Sequence, residues 1–89
     1  MISKTAIHTL KAAAWLARDP EQRFHGAGEI AKAVNAPTNY LGKLLQSLAR
    51  QGVLVSQKGM GGGFKLARAP QDITLYEVVE PIDNLNRLT

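Results

Sequence analysis

Residues 35–66 read NAPTNYLGKLLQSLARQGVLVSQKGMGGGFKL: a tight turn, an amphipathic segment and a glycine-rich hairpin in one unbroken run. Asn35-Ala36-Pro37 is the turn. Asn tolerates the left-handed conformation that closes a helix, and Pro37 suits the first turn of the next one. Over residues 38–51 the leucines Leu41, Leu44, Leu45 and Leu48 repeat at helical spacing, and Gly52 ends the run. Asn39, Lys43, Gln46 and Arg50 fall on the opposite face, which holds amides and cations and no carboxylate. Residues 53–58 and 64–68 then predict two short strands, with Val53/Val55 and Phe64/Leu66 alternating against polar neighbours. Gly59-Met60-Gly61-Gly62-Gly63 joins them.

Upstream of this run, residues 5–18 form an amphipathic helix with Ile7, Leu10, Ala14 and Ala17 as its apolar stripe, ended by Asp19-Pro20. Residues 21–25 read as a surface loop, and residues 28–34 as a short second helix. Downstream, Pro70 ends the hairpin. Thr74-Leu75-Tyr76-Glu77 is a capping box flanked by Ile73 and Val78, which starts a fourth helix that Pro81 stops or kinks. Two helices joined by a three-residue turn, the second with a basic outer face, make a helix-turn-helix, and the hairpin after it adds a wing. The predicted fold is mainly α with a small β-hairpin, a winged helix-turn-helix over residues 1–83. Residues 84–89 follow it as the start of a connection.

Composition narrows the function. The chain has 89 residues and no cysteine, which excludes disulfides, thiol chemistry and cysteine-held zinc or iron–sulfur clusters within it. Two isolated histidines, His8 and His25, cannot build a metal site alone. No apolar run approaches the ~20 residues that span a bilayer, and the first ten residues lack a signal-peptide core, so a cytoplasmic protein without a membrane partner is expected. The net charge of +4 conceals an asymmetry. No acidic residue stands between Ile30 and Gln71, whereas Lys32, Lys43, Arg50, Lys58, Lys65 and Arg68 do, and the tail beyond is acidic. A basic centre of this kind points to a polyanionic partner.

The predicted third helix supplies the residue types that read a major groove: Lys and Arg for guanine, Asn and Gln for adenine. Its N-terminal residues Thr38, Asn39, Tyr40 and Lys43 are the candidates for base or phosphate contact, with Gln46 and Arg50 placed for phosphate or solvent. Tyr40 borders the core, and a half-buried structural role is equally open to it. The glycine loop is no P-loop, because Phe64-Lys65-Leu66 follows where Gly-Lys-Ser/Thr is needed. It is no dinucleotide fingerprint either, because a strand follows it. A glycine-rich wing flanked by Lys58 and Lys65 suits a minor groove or phosphates, although a turn alone would explain one or two of its glycines. No nucleophile–base pair is visible, and an enzyme is not expected. Trp15 is expected in the core, and His8 on a helix face, packed near a partner strand or solvent. The alternative, a winged-helix protein-interaction module without DNA binding, gives no reason to exclude carboxylates from both helix and wing.

Glu29-Ile30-Ala31, Asn39-Tyr40-Leu41, Gly52-Val53-Leu54-Val55, the Gly59-x-Gly61-Gly62-Gly63-Phe64-x-Leu66 wing and Ile73-Thr74-Leu75-x-Glu77-Val78 together resemble the Rrf2 family of bacterial winged helix-turn-helix transcription regulators. The resemblance implies a DNA-binding regulator, a repressor by analogy. It would act as a homodimer on a partly palindromic promoter site, with the third helix in the major groove and the wing in the minor groove. By position it implies contacts from Thr38, Asn39, Tyr40, Lys43, Lys58, Gly61 and Gly62, and an approach to phosphate by Ser3, Lys4 and Thr5. Many relatives hold an iron–sulfur cluster on three cysteines beyond the fourth helix, followed by a long dimerisation helix. These residues carry no such cysteines, so the expectation for the 89 residues is no cofactor and weak or absent self-association. Gly42 stands where several relatives have Glu, and Gly26 where they commonly have a Ser cap.

Overall fold

A computed structural model of the chain describes residues 3–74 and Val78. Helix α1 (Lys4–Ala17) starts at Ser3, whose Oγ accepts the Ala6 N–H at 3.1 Å, satisfying one of the free donors of the first turn. Helix α2 (Ala27–Ala33) has Gly26 as its N-cap, without a side-chain bond. Asn35 takes the left-handed conformation, φ +57°, as the turn reading requires. Pro37 is the N-cap of helix α3 (Thr38–Arg50), one position earlier than the first-turn site expected from sequence. Strands β1 (Leu54–Gln57) and β2 (Gly63–Leu66) pair antiparallel, Leu54 opposite Leu66 and Ser56 opposite Phe64. A 3₁₀ turn, Pro70–Asp72, follows.

The core is built where α3 meets everything else. Leu41, Leu45 and Leu48 are fully buried and pack with Leu16, Ile30, Val53, Leu54, Phe64 and Leu66. Each such leucine contributes about 1.5–3 kcal/mol through removal from water, which anchors α3 by its apolar side and leaves the opposite side to solvent. Val78, the one described residue beyond Thr74, is helical and buried in this core. The rest of the fourth helix predicted from the capping box, its stop at Pro81 and the boundary at residue 83 lie outside the described residues.

Three local expectations are corrected. The fully buried stripe of α1 is Ala6, Thr9, Ala12 and Leu16; of the expected residues Leu10 and Ala17 are half-buried against the core, whereas Ile7 is 43% exposed and Ala14 is exposed. Small residues let the helix lie close against its neighbours, and the Thr9 hydroxyl is satisfied locally by the Thr5 carbonyl at 2.9 Å. A buried Thr therefore costs little, and the centre of the stripe moves toward the Thr9 side of the helix. In β1 the inward strand residue is Leu54, while Val55 is 41% exposed. Val53, just before the strand, is buried as well. The run Val53-Leu54-Val55 is apolar throughout, so alternation alone does not choose a face. Pairing with Leu66 does, since a one-residue slip would turn every side chain over.

The third correction concerns residues 21–25, expected as a surface loop, together with Asp19 before them. They form an organised turn around a buried carboxylate. Asp19 accepts the backbone N–H groups of Glu21 and Arg23, the Arg23 Nε–H and the His25 imidazole. Gln22 donates its amide to the carbonyls of Leu16 and Asp19, each of which also accepts a backbone N–H of the turn. Beyond it, the backbone of His25 exchanges both hydrogen bonds with Phe64 of β2, at 2.9 and 2.8 Å. The wing thus rests on a third, one-residue strand.

Candidate nucleic-acid interface

The polar face of α3 forms one wall of an open groove of about 580 Å³. Thr38, Asn39, Lys43, Gln46 and Arg50 line it, together with Gly42, Ala27 of α2 and Phe64 of β2. The apolar side of α3 is locked in the core, so these side chains have no other direction in which to point. Gln46 and Arg50, expected toward phosphate or solvent, line the same groove as the N-terminal residues. Gly42, in the middle of the wall, has no atom within 4 Å of where a Cβ would stand. It leaves a step in the surface between Asn39 and Gln46.

The hairpin carries Lys58, Gly61 and Gly62. Lys58 and Gly61 are exposed at its tip, and Met60 between them is wholly exposed. All four wing glycines answer backbone demands. Gly59, Gly61 and Gly63 have positive φ, and a Cβ at Gly62 would collide with the Gln57 carbonyl. Lys65 extends over the Phe24 ring, 4.8 Å from its centroid, so its stem and head are already held within the protein.

Tyr40 lies apart from the groove. Its hydroxyl donates to Thr5 Oγ1 at 3.4 Å and shares a hydrogen bond with His8 Nδ1 at 3.1 Å, the two rings meeting edge to face. The first turn of α3 is thereby strapped to the first turns of α1, where Lys4 is exposed. Lys4 and the α3 residues are brought onto connected elements, but Tyr40 itself is half-buried and engaged. His8 is on a helix face as expected, but it packs on Tyr40 of a neighbouring helix where a strand or solvent was expected. Trp15 is half-buried against the core, its ring in a T-shaped contact with that of His25.

Charge separates cleanly over the described residues. Asp19, Glu21 and Glu29 each pair with Arg23 or His25. Lys43, Arg50 and Lys58 form no ion pair among the described residues and stand exposed. The His25 bond holds Asp19 well below the usual carboxylate range, helped by the backbone N–H groups of Glu21 and Arg23. Burial disfavours a charged His25, but Asp19 and Glu29 outweigh it and raise its pKa. His25 is the residue that sequence reasoning missed. Its spacing to Glu29 (i, i+4) was visible, but its bond to Asp19 depends on the fold of the turn between them.

A family model for Rrf2, described as an iron-dependent transcriptional regulator, matches residues 2–89. A putative HTH-type transcriptional regulator of Aquifex aeolicus is 38% identical over 80 residues, covering 90% of this chain and 55% of the relative. The HTH-type transcriptional regulator NsrR of Halalkalibacterium halodurans is 32% identical over 79 residues, covering 88% and 54%. Among solved structures, IscR of T. potens superposes with a TM-score of 0.84 at 25% identity, covering 93% of this chain and 61% of that one. CymR, the global cysteine regulator of B. subtilis, gives 0.86 at 25% identity, covering 93% and 64%. The winged helix-turn-helix architecture is that of these regulators, and the chain spans about half the length of the curated relatives it matches. The family description implies iron, but the donors present do not fit it. The chain has no cysteine, and among the described residues no three His, Asp or Glu side chains gather where they could hold a metal. Asp19 and Glu29 sit on opposite nitrogens of His25 and cannot converge on one ion.

Proposed function

The chain belongs to the Rrf2 family of transcriptional regulators, and from that premise we propose that it binds duplex DNA through α3 and the wing. The observation that carries the reading is the groove wall of Thr38, Asn39, Lys43, Gln46 and Arg50: five donors and acceptors on one exposed helix face, with no carboxylate among them. A helix with this face fits a major groove, where Asn39 and Gln46 match adenine edges and Lys43 matches guanine. Lys58 and the tip around Gly61 and Gly62 then meet the adjoining minor groove or its phosphates, and Lys4 meets phosphate beside α3. Gly61 and Gly62 act through the shape they permit. Tyr40 acts by holding the start of α3 in place. No helix of the described residues is long and apolar enough to cross a membrane, which agrees with a regulator working in the cytoplasm.

One domain of this size covers one half-site. A homodimer of the longer protein would cover a palindrome, and linking two modules raises overall affinity by ~10²–10⁴-fold. Repression follows most simply, because a protein seated in both grooves of a promoter excludes other proteins from it. This reading invokes no catalytic step.

Selection of bound sequences from random duplex DNA tests the reading. Enrichment of one motif of about half-site length, lost in the double variant Asn39→Ala/Lys43→Ala with unchanged circular dichroism, is the expected result. Retention of no duplex at low salt would sink it and favour the protein-interaction module.

A further inference from the structure

We propose that His25 is a positioning residue for the wing: its imidazole, clamped between Asp19 and Glu29, fixes the backbone strand on which β2 rests and so sets the angle of the hairpin against α3. The inference rests on the reading of the wing as a DNA contact. Its geometric part stands independently of that reading.

His25 is where three parts of the molecule meet. Nε2 lies 2.9 Å from Asp19 Oδ2 at the end of α1, and Nδ1 lies 3.1 Å from Glu29 Oε1 on α2. The ring makes a T-shaped contact with Trp15, and the side chain is only 13% exposed. Its backbone N–H and C=O are both spent on Phe64. Gly63, next to Phe64, is packed so tightly on the His25 carbonyl that no Cβ can enter. Displacing the His25 backbone therefore displaces β2, and β2 carries the inner end of the wing.

A neutral imidazole has one N–H, so it can donate to only one of the two carboxylates. The imidazolium donates to both. A carboxylate oxygen within hydrogen-bond distance of each ring nitrogen suits the imidazolium, and the raised pKa of His25 agrees. Other charges around the ring do not reverse this. Arg23 is neutralised on Asp19 and Glu21, Arg18 lines the same open recess, and Lys65 of β2 is held over Phe24. As pH rises through the raised pKa, the contribution of this pair is lost, one carboxylate is released and the strap on β2 loosens.

The test is a nuclear magnetic resonance titration of the protein from about pH 6 to 9, with DNA binding followed in parallel. The backbone amides of Gly63 and Phe64 should shift with the same midpoint as the His25 ring, and Glu29→Gln should move both midpoints down together. Affinity for a fluorescein-labelled duplex of mixed sequence should fall roughly three- to tenfold across that midpoint, the scale of a lost phosphate contact. His25→Gln, which keeps one N–H for Asp19 but does not titrate, should bind weakly and without that step. Wing amides that stay flat while the ring titrates overturn the proposal, as does a wild-type pH profile parallel to that of His25→Gln. If no duplex binds at any pH while the wing amides still follow the ring, the DNA reading fails and the coupling stands.

Discussion

A Cβ built at position 63 would run into the carbonyl of His25, on a backbone already at φ +130°, whereas one built at position 61, at φ +77°, would meet open space. The two glycines look alike in the sequence and have different reasons to be there. Gly61→Ala carries only the strain of a left-handed residue and should cost about 1 kcal/mol in urea unfolding. Gly63→Ala adds the collision and should cost about 2–3 kcal/mol, with the Phe64 amide losing protection from exchange. Equal losses would mean that the His25–Phe64 pairing is looser than observed. Tyr40 invites a similar separation of roles. If its hydroxyl serves the strap to His8 and Thr5, Tyr40→Phe should cost about 0.5–1.5 kcal/mol of stability. The salt dependence of DNA binding should stay unchanged. A flatter salt slope at full stability would place the hydroxyl on phosphate instead.

Helix α3 was the most legible element, because Leu41, Leu45 and Leu48 leave no choice of face and an opposite face without acids follows at once. Its weak point was legible too. Gly42 lies mid-helix with nothing near its missing Cβ, so Gly42→Ala should stabilise the domain by about 0.5–1 kcal/mol through helix propensity alone. A neutral or negative result in thermal unfolding would show that the glycine has a packing role the groove does not reveal. Helix α1 and strand β1 were harder to read. In α1 both Ile7-Leu10-Ala14-Ala17 and Ala6-Thr9-Ala12-Leu16 are acceptable stripes by spacing. The second wins because close helix packing favours small residues, and because a buried Thr can bond its own helix. In β1 the choice of face came from the partner strand, information that lies about ten residues away. The candidate site divides in the same manner. The groove residues follow from one helix face, while the Tyr40–His8 strap and the Asp19–His25–Glu29 clamp join residues whose neighbourhood only the folded chain creates.

Across the whole molecule the charges are sorted by partner. The acids of the first thirty residues are consumed internally by Arg23 and His25, and the bases at Lys43, Arg50 and Lys58 are left unpaired among the described residues. A fold that neutralises the carboxylates of its first thirty residues and presents these cations on one helix face and one hairpin gains nothing in stability from those cations. They raise self-repulsion, and what they provide is a field for an anion. On DNA, each neutralised phosphate releases counterions, so log affinity should fall linearly with log salt by about 0.9 per contact. Lys43→Ala and Lys58→Ala should each flatten that line by about one unit, and their effects should add, because one sits on α3 and the other on the wing. Lys65→Ala should flatten it less, since Phe24 already holds that ammonium. Lys58→Ala should weaken all sequences alike, as befits a phosphate contact, while Asn39→Ala should weaken the selected motif more than mixed DNA. Titrations of the four variants over a range of salt would check the whole pattern. A Lys58→Ala slope identical to wild type would show that the wing tip stays in solvent and that α3 alone binds the duplex.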